Sequence, residues 1–178
     1  VHPRLLENSD WLLTGGGTVL VPLCGKTKDL RWLAGRGSVL GVEAVTQAIE
    51  EFLEDEGLTA ICSESSGFRR WSTEGPTILQ GDFFALDAGH TGALSAAWDR
   101  AALVAIRPAR RRRYVERLVQ LLGTGGRILL VTWDTERPQR HALLFRPLRR
   151  PLLSSPSRPT RPPARRQPAL LARPRRAA

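Results

Sequence analysis

Cysteine and histidine are scarce in this chain, and each scarcity removes a class of explanation. The only cysteines, Cys24 and Cys62, cannot build a disulfide framework and point to a reducing compartment. The three histidines, His2, His90 and His141, are scattered, and no Cys/His spacing resembles a metal site. No apolar run approaches the roughly 20 residues of a membrane-spanning helix. The first ten residues are polar and carry no signal-peptide pattern. The G-x-G-x-x-G fingerprint is absent after the first strand pattern, and the one triple glycine, Gly15-Gly16-Gly17, precedes that strand and reads as a turn. No G-x-x-x-x-G-K-[ST] leads into Cys24-Gly25-Lys26, which excludes a P-loop. The chain starts without Met and is expected to be a fragment or a processed product.

Acids are missing from the C-terminal stretch. The whole chain has a net charge of +10 from 27 Lys/Arg against 17 Asp/Glu. Ten of the arginines lie from Arg146 onward with no acid among them, so residues 1–145 carry 17 basic and 17 acidic residues and are neutral. The basicity therefore belongs to an appended segment. Residues 146–178 hold eight prolines and are Arg/Ala/Ser-rich, a composition that cannot bury a core and is expected to be disordered. The expected organisation is a folded domain over 1–145 and a disordered Arg/Pro-rich tail over 146–178. The abrupt onset of that tail leads to the expectation of an out-of-frame or alternatively spliced read.

The body is organised around Val19-Leu20-Val21-Pro22-Leu23-Cys24-Gly25-Lys26 and Leu40-Gly41-Val42-Glu43. A short β-branched run stops at Pro22 and opens into a glycine turn. A helical pattern (Leu30, Leu33, Ala34) follows, closed by Gly37, and a second apolar run ends on Glu43. This is the first half of a parallel βαβ unit. In such a unit the turn after the first strand lies beside a helix N-terminus, which favours an anionic group. The acid ending the second strand lies where it can accept hydrogen bonds from a ribose diol. Alternatively Glu43 is an acid complementing the dipole of the helix that starts near Val45.

Further elements follow from spacing. Residues 1–14, with Leu5, Leu6, Trp11, Leu12 and Leu13, suit a short helix. Thr18–Pro22 and Val39–Glu43 are strands, with a helix over 28–36 between them, N-capped by Thr27. Val45, Ala48, Ile49, Phe52 and Leu53 recur at helical spacing before Gly57, with a solvated acidic face. Residues 59–76 read as an irregular or short-strand excursion anchored by Phe68 and Trp71. Strands are expected at 77–81, 96–99 and 127–133. Pro108 suits the first turn of a helix that buries Tyr114, Val115, Leu118, Leu121 and Leu122. Arg110–Arg113 reads as that helix's solvated face.

Val21-Pro22-Leu23-Cys24-Gly25-Lys26, Gly41-Val42-Glu43, Gly81-Asp82-Phe83-Phe84-Ala85-Leu86 and the run Trp98 to Ile106 together resemble the thiopurine S-methyltransferases, over roughly His2 to Pro138. The resemblance implies a Rossmann-like α/β sheet and S-adenosyl-L-methionine as cofactor. It also implies methyl transfer to the sulfur of a small aromatic or heterocyclic thiol. It assigns cofactor binding to Leu23, Gly25, Glu43, Ala44, Asp82, Phe83 and Arg100, and catalysis to Arg100 with Asp99. The Arg100 guanidinium offers a planar donor fork to a carboxylate or a ring substituent. Cys24 reads as a small buried residue, since methyl transfer needs no thiolate. His2 falls near a family histidine but reads as a lone exposed one.

Two departures from the family stand out. Its N-terminal cofactor-covering segment, with a tryptophan, is expected to be missing. No segment after Pro138 reads as one of the closing antiparallel strands, because prolines recur too often. The sheet is therefore expected to lack its last strands, leaving 127–133 at an open edge and the chain monomeric but prone to self-association. The competing reading is a methyltransferase-like binding protein that no longer turns over. Its polybasic tail would contact nucleic acid or acidic membranes. Against it, the tail has no aromatic residue for base stacking and the body has no basic stripe. An NAD-binding domain is disfavoured by the missing glycines. No metal, no membrane span and a cytoplasmic location complete the expectation.

Overall fold

The computed structural model describes residues 1–133 and 140–145. The eight strands are β1 (Thr18–Pro22), β2 (Val39–Glu43), β3 (Ile61–Ser65), β4 (Phe68–Ser72), β5 (Thr77–Gln80), β6 (Leu94–Arg100), β7 (Arg127–Trp133) and β8 (Arg140–Phe145). They form one sheet in the order β3-β4-β5-β2-β1-β6-β7-β8. The five strands from β5 to β7 are parallel, and β3, β4 and β8 run antiparallel to their neighbours. Among the described residues the seven α-helices are α1 (Pro3–Glu7), α2 (Ser9–Leu13), α3 (Asp29–Ala34), α4 (Thr46–Asp55), α5 (Ala88–Thr91), α6 (Ala102–Ala105) and α7 (Pro108–Leu122).

Alternation along the strands divides the core in two. Val19, Val21, Ala96, Trp98, Leu129 and Val131 face one layer, which contains α1 to α4 through Leu5, Leu12, Leu30, Leu33, Ile49, Phe52 and Leu53. Leu20, Leu40, Val42, Ala97 and Ile128 face the other, closed by Phe83, Phe84, Ala102, Tyr114, Leu118, Leu121 and Leu122. Helices on opposite faces follow from right-handed crossovers that run outward in opposite directions from the β1/β6 junction. That junction is the topological switch point, where open α/β sheets hold ligands beyond the carboxyl ends of their strands. Close packing at β2 depends on Gly41: an added Cβ there would lie 2.9 Å from Cys24 Sγ and 3.3 Å from Leu30 Cδ2.

The parallel core has the expected Rossmann-like arrangement. Residues 59–76 form a regular hairpin: β3 and β4 turn at Ser66 (φ 50°) and Gly67 (φ 84°) and extend the sheet beyond β5. In β4 Phe68 is buried in the second layer and Trp71 in the first, on opposite faces of the strand, and Arg69 and Arg70 lie between them. The expected absence of strands after Pro138 is corrected. Between Pro138 and Pro147 the chain has no proline, so the ladder donors are intact, and β8 pairs with β7 from Ile128↔Phe145 to Trp133↔Arg140. Strand β7 is therefore interior, and among the described residues β8 is the edge strand on that side of the sheet. Apolar spacing also overshoots at two positions: Val45, just before α4, and Val115, midway along α7, are exposed. The disordered tail expected for 146–178 lies outside the described residues.

Candidate active site

The site begins with the turn after β1. Proline at the last position of β1 ends the ladder, and Leu23 then adopts a left-handed conformation (φ 46°) that a branched side chain rarely takes. Ala101, just past β6 on the adjacent strand, is also left-handed (φ 72°). Unfavourable backbone at two neighbouring carboxyl ends is the pattern in which strain accompanies a ligand site. Gly25 (φ 52°) completes the turn, and a Cβ there would meet nothing within 4 Å, so open space lies in front of it.

Glu43 closes the turn from β2. Its carboxylate is buried and accepts the Gly25 amide at 2.8 Å on one oxygen, and the Ala44 and Val45 amides at 2.8 and 3.0 Å on the other. Glu43 therefore pins the Gly25 turn and the two residues that precede α4, whose own N-cap, Val45, has no side-chain cap hydrogen bond. Cys24 lies behind the turn; burial, helped by the Glu43 charge, pushes its thiol far above the ordinary range, so it stays protonated and inert. Lys26 points outward to Glu51 at 2.8 Å and Asp55 at 3.8 Å, so part of the acidic face of α4 has a partner.

A cavity of about 580 Å³ opens at this turn, lined by Val1, His2, Pro3, residues 24–29 and Arg100. Arg100 is exposed at the end of β6, and its Nη1 donates to Thr27 Oγ1 at 3.1 Å. Thr27 Oγ1 also accepts the Asp29 amide at 3.3 Å, although the N-cap of α3 is Lys28 and not the expected Thr27. His2 is half-buried, N-caps α1 by accepting the Arg4 amide on Nδ1, and sets its ring 5.7 Å from the Trp98 ring. The reading of His2 as a lone exposed histidine is corrected: it belongs to the cavity wall.

The remaining sequence-level candidates separate. Ala44 is exposed beside Glu43. Asp82 is exposed at the end of β5 and caps the following 3-10 turn by accepting the Phe84 amide at 2.9 Å. Phe83 is buried against Tyr114, with ring centroids 4.8 Å apart, and neither it nor Asp82 lines the cavity. Asp99 is corrected outright. It is 1% exposed, and its oxygens accept the Leu103 amide at 3.2 Å and the Tyr114 hydroxyl at 2.7 Å. Burial raises its carboxyl above the usual range, and burial with the Asp99 charge raises the Tyr114 phenol well above its own. Asp99 braces β6 against α6 and α7 and does not reach the cavity.

Sequence reasoning missed Asp29, a buried carboxylate between the cavity and the core. It also missed the role of the arginines at the start of α7. Arg111 donates to the Ile106 and Val104 carbonyls at 3.0 and 3.1 Å. The Arg110 guanidinium stacks 4.0 Å from the Phe84 ring. Among the described residues no group of His, Cys, Asp and Glu could hold a metal ion. No described helix is long and apolar enough to cross a membrane.

A mixed sheet with a parallel centre and helices on both faces, a cavity at the carboxyl ends of β1 and β6, an acid ending β2 and an antiparallel β8 match the class I S-adenosylmethionine-dependent methyltransferase fold. Solved structures of that class share it. Glycopeptide N-methyltransferase MtfA in complex with S-adenosyl-L-methionine superposes with a TM-score of 0.56 at 18% identity, over 82% of this chain and 65% of that one. A TehB-like SAM-dependent methyltransferase from Corynebacterium glutamicum gives 0.54 at 16% identity, over 74% and 63%. Within the class the assignment is specific, since the family model for thiopurine S-methyltransferase matches residues 2–142. The chain belongs to the thiopurine S-methyltransferase family. It is 47% identical to the thiopurine S-methyltransferase of Pseudomonas paraeruginosa over 136 residues, 75% of this chain and 62% of that protein. It is 42% identical to that of Pseudomonas fluorescens over 142 residues, 79% and 65%. The chain thus spans a little under two thirds of the length of these relatives.

Proposed function

We propose that this chain binds S-adenosyl-L-methionine at the carboxyl ends of β1, β2, β5 and β6 and methylates the sulfur of a small aromatic or heterocyclic thiol. The observation that carries the reading is the Glu43–Gly25 clamp, a buried carboxylate on a strained turn beside open space, in a chain of this family. The residues present fit the cofactor. The space in front of Gly25 admits a ligand without any side chain moving, and the exposed Arg100 offers charged donors within the cavity. A carboxylate has about four acceptor positions, and three on Glu43 are taken by amides. One remains for a ribose hydroxyl, and a second opens only if the longest of the three, from Val45, lets go. Asp82 and the Phe83 backbone would border the adenine, and Leu23 and Gly25 the methionine end.

The cofactor, when bound, supplies an electrophilic methyl group. The protein's part is to orient and to exclude water. An aromatic or heterocyclic thiol is largely thiolate near neutral pH, so little general-base help is needed and positioning supplies most of the rate. The cavity's ionisable side chains are His2, Lys26, Lys28, Asp29 and Arg100, with Cys24 held protonated by burial. Arg100 is the residue we assign to the substrate or to the cofactor carboxylate. Two unpaired cysteines, one buried and one exposed, support a reducing, cytoplasmic setting. Residues 1–145 are the proposed methyltransferase unit, with the basic segment appended. Equilibrium dialysis against S-adenosylmethionine and NAD tests the reading. Selective retention of the former, with transfer of labelled methyl to a thiophenol, is the expected result. Retention of NAD, or of neither, refutes it.

A further inference from the structure

Asp29 is a charged side chain whose burial packing alone does not explain. It opens α3 and is 1% exposed in a layer of mainly apolar side chains, which also holds the buried Arg127, a donor to the Leu12 carbonyl at 3.2 Å. Taking a carboxylate out of water costs several kcal/mol, and an apolar side chain of similar size commonly serves stability as well or better. What the carboxylate can do, and a leucine cannot, is hold donors in place. Its donors come from two stretches of the chain far from it in sequence, the N-terminus and β6. Oδ1 accepts the backbone amide of His2 at 2.8 Å. Oδ2 accepts the indole N–H of Trp98, on β6, at 2.9 Å and lies 3.9 Å from Arg100 Nη1. The same Nη1 donates to Thr27 Oγ1, two residues before Asp29. Three of the participants, His2, Thr27 and Arg100, line the cavity together with Asp29 itself.

We infer that Asp29, assisted by Thr27, is a positioning residue that acts through Arg100 and simultaneously anchors the start of α1 at the cavity wall. Arg100 is 43% exposed at its side chain, and a long exposed guanidinium otherwise samples many rotamers. A negative charge behind it and a hydroxyl beside it hold one nitrogen. Its Nε and Nη2 have no partner among the described residues and are left for a ligand. The second half of the device is the His2 amide. That bond fixes the residue that N-caps α1, so the segment's first turn is tied to the same carboxylate that orients Arg100. Ligand contact and closure of the cavity wall are thereby coupled through one group. The coupling to cofactor rests on the function proposed above; the anchoring of α1 does not.

Calorimetric titration with S-adenosylhomocysteine and amide hydrogen exchange together test this. D29N keeps the size of the side chain but loses the charge and one acceptor. T27V removes only the hydroxyl and leaves the core intact, so it serves if D29N does not fold. R100A is expected to weaken S-adenosylhomocysteine roughly 10- to 100-fold, the loss of one charge-assisted contact. D29N is expected to weaken it about 5- to 30-fold and T27V about 3-fold. Added to R100A, either should cost less than about twofold more, because residues acting through a shared partner are non-additive. Fully additive losses would overturn the positioning role. Exchange at the Leu5 and Leu6 amides, which donate to the His2 carbonyl, should quicken at least about fivefold in D29N and stay unchanged in R100A. Unchanged exchange in a folded D29N overturns the anchor. A wild-type chain that ignores S-adenosylhomocysteine refutes the cofactor reading, while the exchange comparison still decides the anchor.

Discussion

Replacing Glu43 separates two jobs done by one carboxylate. In Glu43→Ala the amides of Gly25, Ala44 and Val45 lose their acceptor. Ala44 and Val45 are exposed and can turn to water, whereas Gly25 is half-buried. The stability loss is therefore dominated by one charge-assisted bond, about 2 kcal/mol. For a domain of this size that lowers Tm by roughly 4–8 °C. Removing the ribose acceptor should weaken S-adenosylmethionine by a further ~1.5–3 kcal/mol, or about 10- to 100-fold in Kd. Glu43→Gln should lose less affinity, since an amide oxygen still accepts a hydroxyl. It should lose nearly as much Tm, because its NH2 opposes backbone donors. Differential scanning calorimetry gives the first quantity and isothermal titration at a temperature where both variants are folded gives the second. Unchanged Kd in both variants would remove Glu43 from the ligand site, and unchanged Tm in both would show that the turn is not held by it.

Other expectations follow from the same geometry. Gly41→Ala should destabilise by about 1–3 kcal/mol, because the new methyl meets Cys24 Sγ; adding Cys24→Ala should return a good part of that in urea unfolding, and no recovery would show that the contact is not the cause. Asp99 has a raised folded-state carboxyl value, so the folded form holds its proton longer than the unfolded one. Its contribution is fully present below the unfolded value of about 3.9 and is lost as pH rises through the folded one. Wild type should therefore lose stability relative to Asp99→Asn across a window that begins near the ordinary aspartate value, and a difference independent of pH would contradict this. Finally, binding to RNA or anionic vesicles should disappear when the chain ends before Pro147, and should fall steeply with salt in the full chain. Binding that survives the cut would move the basic contact to the body, where the α7 arginines are the place to look.

The parallel core was legible because buried strands read as short apolar runs punctuated by Pro22, Gly25 and Gly37, and those signals are local. Hairpin β3–β4 was only half legible: Glu64 and Arg69 answer each other across the pair at 2.8 Å, and a polar cross-strand pair leaves no apolar period to read. Strand β8 was misjudged because proline was counted over a long stretch, when the ladder needs only the short proline-free interval it occupies. Among the proposed site residues, Leu23, Gly25, Glu43 and Arg100 were named through motif resemblance; Gly25 and Arg100 line the cavity, and Glu43 is linked to it through the Gly25 amide. Asp29 and Asp99 could not be told apart by sequence. Each is an acid near an element boundary, and what distinguishes them is a partner far along the chain: Trp98 for one, Tyr114 for the other.

The strand order also dictates when the site can exist during folding. The β1 turn and Glu43 come from neighbouring segments, so their half of the crevice needs only a short loop to close. Arg100 arrives on β6, whose pairing with β1 joins Thr18 to Leu94, and that closure carries the entropy of a long intervening chain. Contacts of such sequence separation form late and slowly. A nascent chain therefore acquires the clamp before it acquires the guanidinium. Substitutions at Glu43 should alter the folding rate, while those at Arg100 should act almost wholly on unfolding.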